Sequence, residues 1–423
     1  MTYDVHKVRD RFPGLKRQFD GRDIVFLDNP AGTQVAQSVL DRMNDCMINA
    51  NANLGGFFAT SVAAGELVAQ AREWAADFVN GTSDEIVFGQ NMTTLTFAMS
   101  RSIGRELRPG DEIVLTRADH DGNVAPWLML AEDLGLTIRW IDLDTQRYEL
   151  DLSQLDTVLN PRTKLIAVNY ANNITGSITD VKAVSDAARH VGALVYVDAV
   201  QYAPHDIIDV RQLGCDFLAC SAYKFYGPHY GILWAKAEHL ERLTAYKVRA
   251  ASDEIPNKFV TGTTNREELA GIIGALEHFQ WVGHAFGGDL EAPPAGRNER
   301  QALLRAGIEV MKAYDHGLTH QLITGLKKHD GVRIIGIDDL QNFNRRVSTV
   351  SFTHDPRRPE DIVRFMAEHG INVWSGHNYA LETIDQLGLM RSGGVVRVGP
   401  THYNTHEEIG RFLACYDRFL QRA

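Results

Sequence analysis

The chain is poor in cysteine, holds no long apolar run and shows no surplus of positive charge. Each shortage removes a class of protein. Four cysteines in 423 residues, Cys46, Cys215, Cys220 and Cys415, are too few and too scattered for a disulfide framework, and no pair has the spacing of a zinc site. A reducing, cytoplasmic setting is the expectation. No apolar stretch approaches the length that spans a bilayer, and the opening MTYDVHKVRDRFPGL mixes charges with apolar residues where a signal peptide needs an apolar run. Neither a membrane nor a secretory route is expected. With Lys+Arg 43 against Asp+Glu 54 the net charge is −11, so nucleic acid is not expected as a partner either. A local site can still hold a small anion.

What is present is ordinary globular composition, 44% hydrophobic and 23% charged, over a length that suggests two or three domains. From about residue 80, short β-branched runs alternate with amphipathic stretches. The runs are EIVFG (85–89), EIVLTR (112–117), TIRWID (137–142), KLIAVNY (164–170), LVYVDAV (194–200), FLACS (217–221) and GILWAK (231–236). Val181, Val184, Ala187, Ala188 and Val191 between two of them make one apolar helix face. The pattern predicts an α/β fold with a mostly parallel sheet. GGDLEAPPAG (287–296) interrupts it as a boundary or surface loop. Beyond it the pattern predicts a long helix (297–328), strands at 332–337, 345–352, 371–374 and 394–398, a helix at 358–369, and a last helix opened by the capping box Thr405-x-x-Glu408. This reads as a smaller α+β domain.

In an open parallel sheet, ligands sit beyond the carboxyl ends of the strands. Asp198 ends the apolar LVYV run, where an ionised carboxylate is costly without a cation. Lys224, in SAYKFYGP, follows the next strand, and a lysine in a partly dry site becomes an amine nucleophile toward an aldehyde. Met92 and Thr93, in GQNMTTLTF, open a helix whose N-terminal amides suit a phosphate. His120, in RADHDG, offers a flat ring. A cap, a structural ion pair, a solvated lysine and a loop histidine are the plainer alternatives for each. Ser221-x-x-Lys224 matches a penicillin-binding-protein motif, but SDN and KTG are missing. No Walker motif and no GxGxxG follow a strand. His402 and His406, in THYNTHEE, flank a helix start and read as capping residues, so no metal is expected.

A carboxylate, a lysine further along, a phosphate cup and a stacking ring are together what pyridoxal phosphate (PLP) requires. VDAVQ and SAYKFYGP in order, with NNITG, IVFLDNPAGTQ (24–34) and RVGPTHYNTHEEI (397–409), resemble the class V aminotransferase family of fold type I PLP enzymes, above all the group II cysteine desulfurases. The resemblance implies an N-terminal segment (1–23) packing with the small domain, a large PLP-binding domain (24–286) and a small C-terminal domain (297–423). It implies Lys224 as the Schiff-base lysine and proton carrier, Asp198 on the pyridinium nitrogen, Gln201 on the phenolic oxygen and His120 stacked on the ring. Met92, Thr93 and Ser221 would hold the phosphate, with Tyr223 in the slot before the lysine. Thr263, in VTGTTN, resembles a residue that reaches the neighbouring subunit's phosphate, which implies a homodimer with shared sites. Asn173 and Arg397 resemble the pair that orients the substrate carboxylate.

The sequence departs from the group II pattern in VWSGHNYALE, where Tyr379 stands in place of the persulfide cysteine and Trp374 in place of a frequent arginine. A phenol cannot form a persulfide. The expected activity is therefore Cα/Cβ bond cleavage of an amino acid through an external aldimine, a lyase reaction without a persulfide relay. Transamination or epimerisation by the same family is the alternative, and epimerisation would require a second acid or base facing Lys224, with Tyr379, His377 and Tyr223 as candidates. A catalytically inactive PLP-fold binding or regulatory protein is the alternative of another class. The substrate side chain is not legible, and Asn53, Phe57, Phe58 and Trp374 are the positions expected to shape its pocket.

Overall fold

A computed structural model describes residues 3–288 and 298–422. After a five-residue helix at Val5–Arg9, two longer helices, α1 (Gln37–Asn49) and α2 (Ala59–Val79), precede the sheet. Then follow β1 (Ile86–Gly89), α3 (Met92–Gly104), β2 (Glu112–Thr116), β3 (Thr137–Ile141), β4 (Thr163–Asn169), α4 (Val181–Val191), β5 (Leu194–Asp198), β6 (Phe217–Ser221) and β7 (Gly231–Ala235). They form one seven-stranded sheet in the order β1-β7-β6-β5-β4-β2-β3. Only β7 is antiparallel to its neighbours. All seven expected strands are present, within a residue or two of the expected ends.

The sheet is apolar on both faces because helices cover both. Along β4, Ile166 and Val168 enter one core cluster while Leu165 and Ala167 enter another, as the two-residue period demands. In β5, Val195 and Val197 face the first and Tyr196 the second. The strands that run together also end together. The carboxyl ends of β1, β2, β4, β5 and β6 therefore bring Asn91, His120, Asn173, Asp198 and Lys224 to one edge.

The second half begins with α5 (Arg266–Phe286) and α6 (Glu299–Leu326). It continues through β8 (Val332–Ile335), β9 (Val350–His354), α7 (Pro359–Ala367), β10 (Trp374–Gly376), β11 (Val395–Val398) and α8 (His406–Gln421). The four strands make an antiparallel sheet in the order β8-β9-β11-β10. Leu318 and Leu322 of α6, Phe365 of α7 and Phe412 of α8 pack with Phe352 and Val396 into a separate core. Val25 and Leu27 join that core, because Val25–Phe26 pairs in parallel with Ile371–Asn372. The N-terminal segment touches both halves: Phe12 packs against the rings of Tyr226 and His278, while Arg9 bonds the Tyr403 carbonyl (2.7 Å) and pairs with Glu408 (2.9 Å).

Several expectations need correction. The strand expected at 345–352 starts only at Val350, because Leu340–Arg345 coil into a 3-10 turn and Arg346 is tied to backbone carbonyls. The strand expected at 371–374 is two, one pairing with Val25–Phe26 and the other, β10, with β11. Most of GGDLEAPPAG lies outside the described residues. His402 is not a cap: it is buried, with Nε2 2.8 Å from His278 Nε2, and Thr405 caps α8 through the expected box with Glu408. No helix among the described residues is long and apolar enough to cross a membrane.

Candidate active site

A cavity of about 770 Å³ opens where the carboxyl edge of the large sheet meets β10, β11 and the loop after β10. Met92, Thr93, His120, Asn173, Asp198, Gln201, Ser221, Tyr223, Lys224 and Arg397 all line it. Residues 305 positions apart in sequence are thus brought to one wall by topology alone. Thr263 does not line it, and is exposed on the segment between β7 and α5.

Lys224 follows β6 in a single 3-10 turn, and its Nζ donates to the Pro30 carbonyl. Burial first, and then the Arg397 guanidinium, lower its pKa to about 7, against the opposing pull of Asp198. The amine is therefore substantially unprotonated near neutrality. Asp198 ends β5 as expected, and burial pushes its pKa up to about 6, partly offset by the bond from Val200 N–H (2.8 Å) and by Lys224. A carboxylate so poorly compensated favours a new cationic partner.

His120 caps a short turn through Nδ1, which accepts from Gly122 N–H (3.0 Å). Burial, then Lys224, then Arg397 lower its pKa to about 4, so the ring is neutral and can lie against a cationic heterocycle without repulsion. Gly122 is needed for this packing, since a Cβ there would stand 2.8 Å from Thr93 Oγ1 and 3.1 Å from His120 Nδ1. At the start of α3, Asn91 caps through the Thr94 N–H (2.8 Å), and Met92 N–H donates to Ser221 Oγ (3.2 Å). The Ser221 hydroxyl hydrogen stays available to an anion at this helix start.

Three buried polar atoms of the cavity wall have no hydrogen-bond partner among the described residues: Gln201 Oε1, Asn173 Oδ1 and Arg397 Nε. Buried polar groups normally find a partner, so these mark where a bound molecule is accommodated. Gln201 Nε2 donates to Thr349 Oγ1 (2.7 Å). Turning the amide over would let the Thr349 hydroxyl donate to it and would present its NH2 to a phenolic oxygen. Arg397 donates through Nη1 to the Asn173 carbonyl (3.1 Å), and burial brings its pKa down to about 10, opposed by Tyr223 and Asp28. Tyr223 stacks on His229, with centroids 5.0 Å apart. An amine, a raised carboxylate, a neutral ring and a helix start thus fit a planar cationic heterocycle bearing an aldehyde and a phosphate, which is PLP.

Sequence reasoning missed three supporting residues. Asp119 is buried behind His120, bonded by Thr116, Asn123 (2.7 Å) and the Asn169 N–H (3.1 Å), and burial lifts its pKa to about 7. Its position straight after an apolar strand was the available signal. Asp28, straight after the apolar run IVFL, carried the same signal, and Thr349, from a distant segment, had none. None of the four cysteines lines the cavity, and all four are buried thiols.

A family model described as aminotransferase class-V matches residues 25–288 and 297–412. The aminotransferase-like protein FGM3 of Gibberella zeae is 30% identical, with 99% of each chain covered. A probable cysteine desulfurase of Mycolicibacterium paratuberculosis is also 30% identical, and there 99% of this chain matches 59% of the relative. The apo structure of cysteine desulfurase from Thermococcus onnurineus superposes with a TM-score of 0.86 at 26% identity, over the whole of both chains. These matches settle the family: the chain belongs to the class V aminotransferases and is a PLP-dependent, cysteine desulfurase-like enzyme.

Proposed function

We propose that the protein is a lyase that removes a leaving group from Cβ of an amino acid without passing sulfur to a cysteine of its own. The observation that carries this reading is Tyr379, which stands at the cavity mouth where the group II pattern has its thiol, while every cysteine is buried elsewhere. When bound, PLP holds the substrate amino group and withdraws electrons from the bonds to Cα. Lys224 anchors the cofactor aldehyde and then takes the Cα proton, a task suited to an amine with pKa about 7. Asp198 pairs with the pyridine nitrogen, and His120 covers one ring face. Gln201 meets the phenolic oxygen. Ser221, with the backbone of Met92 and Thr93, holds the phosphate, and Tyr223 closes that side. Arg397 and Asn173 orient the substrate carboxylate, the free Nε completing a two-pronged donor.

In this reading residues 24–286 form the cofactor domain, and the part from 297 onward forms the small domain that carries Arg397. The working unit is a homodimer in a reducing, cytoplasmic setting, with Thr263 reaching the partner's phosphate site. The net reaction adds water to the amino acid and gives the protonated leaving group, a 2-keto acid and ammonia. To test it, holoenzyme is incubated with L-amino acids and cysteine conjugates while keto acid, ammonia, sulfide, amino transfer and the D-enantiomer are assayed. Stoichiometric keto acid and ammonia without protein persulfide is expected. Abundant persulfide on the protein, or transfer or inversion alone, overturns the reading.

A further inference from the structure

The side-chain end of the cavity is aromatic and carries no cation to spare. Trp374 of β10 sits directly opposite Arg397 of β11 in their antiparallel register. Residues paired in this way project from the same face, with Cβ atoms about 5 Å apart. Both side chains line the cavity. A substrate whose carboxylate rests on Arg397 therefore has its side chain beside the Trp374 indole, which is 51% exposed.

Tyr379 lines the same cavity. Its ring lies 5.6 Å from that of His120, tilted by 31°, and is 66% exposed. The backbone holds it there at a cost: Asn378 (φ 48°) and Tyr379 (φ 60°) are consecutive non-glycine residues in the left-handed region. Three bonds fix this turn, from Asp121 N–H to the Tyr379 carbonyl (2.7 Å), from Asn173 Nδ2 to the Asn378 carbonyl (2.8 Å) and from Tyr379 N–H to His377 Nδ1 (3.0 Å). All three partners, Asp121, Asn173 and His377, line the cavity themselves. A ring that merely faced solvent would not need such a support.

Among the described residues, Lys224 and Arg397 are the only Lys or Arg in the lining, and both are engaged in the reading above. An acidic side chain finds no further cation there. A basic one would lie beside the Arg397 guanidinium, with Asp121 as the remaining carboxylate of the described lining once Asp198 is taken. Planar apolar groups match two exposed aromatic rings best.

We infer that Trp374 and Tyr379 form an aromatic clamp that selects amino acids bearing an aromatic group on the side chain, such as S-aryl or S-arylalkyl cysteines, over cysteine itself. The inference rests on the PLP lyase reading of this site and names its substrate class. The test titrates holoenzyme with S-benzyl-L-cysteine against S-methyl-L-cysteine, and with L-phenylalanine against L-alanine, reading apparent Kd from the cofactor's visible band. Roughly tenfold tighter binding of the aromatic member of each pair is expected. Trp374→Ala and Tyr379→Ala should each bring the ratio to within about threefold of one, while Trp374→Phe retains most of the preference. A ratio near one in the wild type, or an undiminished ratio in both alanine variants, overturns the inference. The two readings fail separately: tight, clamp-dependent binding of S-benzyl-L-cysteine without keto acid sinks the lyase and leaves the clamp standing. If no amino acid moves the band, both fall.

Discussion

At Lys224, burial and the Arg397 guanidinium disfavour the ammonium form while Asp198 favours it, and the balance brings the pKa to about 7. Below its pKa an amine has no free electron pair, so a lowered value makes it a nucleophile at lower pH. Competitive acetylation of the apoprotein, read by mass spectrometry of the Lys224 peptide, should be half-maximal near pH 7. Surface lysines in the same sample should need about pH 10.4. Asp198→Asn removes the carboxylate that favours the ammonium, so the midpoint should move lower still. A Lys224 midpoint with the surface lysines would mean a solvated amine and no poised nucleophile. Lys224, Asp198 and His120 were readable as candidates because each is a charged or ring residue placed just past an apolar strand. The bond from Gln201 to Thr349, across 148 positions, carried no such signal. Nor did the pairing of Trp374 with Arg397, whose strands are separated by residues 377–394.

The elements repeat this contrast between local and distant causes. Periodicity found the seven strands of the large sheet and the capping box of α8, because both are written within a few residues. It misplaced the start of β9, since residues 345–347 pair instead with a distant segment, Ile178 N–H donating to the Arg345 carbonyl (2.9 Å) and Val347 N–H to that of Gly176 (2.8 Å). The contact of α5 with α6 shows what a small residue does between elements. A Cβ on Gly283 would lie 2.0 Å from the Leu303 carbonyl oxygen, and one on Gly307 2.1 Å from that of Phe279. Glycine inside a helix costs about 1 kcal/mol relative to alanine, yet here it lets two backbones touch. Gly307→Ala should therefore destabilise by roughly 1–3 kcal/mol in urea unfolding, against its better helix propensity. Gly410, on α8, has open space where a Cβ would go, so Gly410→Ala should be neutral or stabilising. Equal responses at the two sites would remove close approach as the cause.

The whole molecule hinges on α6, whose Leu304, Ile308 and Met311 belong to the first core and whose Leu318, Leu322 and Leu326 belong to the second. That continuity fixes Arg397, on the small sheet, against Lys224 and Asp198, on the large one. One region remains uncovered. Ile48 is 68% exposed, Phe57 is fully exposed, and Met47, Leu54, Phe58 and Val62 are exposed beside them in sequence, from the end of α1 into α2. Contiguous apolar exposure of this kind marks an interface, and a chain of net charge −11 needs specific apolar contact to associate with its own copy. Sedimentation equilibrium at micromolar concentration should give twice the 47.2 kDa chain mass. Ile48→Asp combined with Phe57→Asp should return it to the mass of one chain. Thr263→Ala lies on an exposed segment and should keep the dimer while shedding PLP faster on dialysis. A wild-type monomer would sink the shared site, and a dimer whose PLP retention ignores Thr263 would show that each subunit holds its phosphate alone.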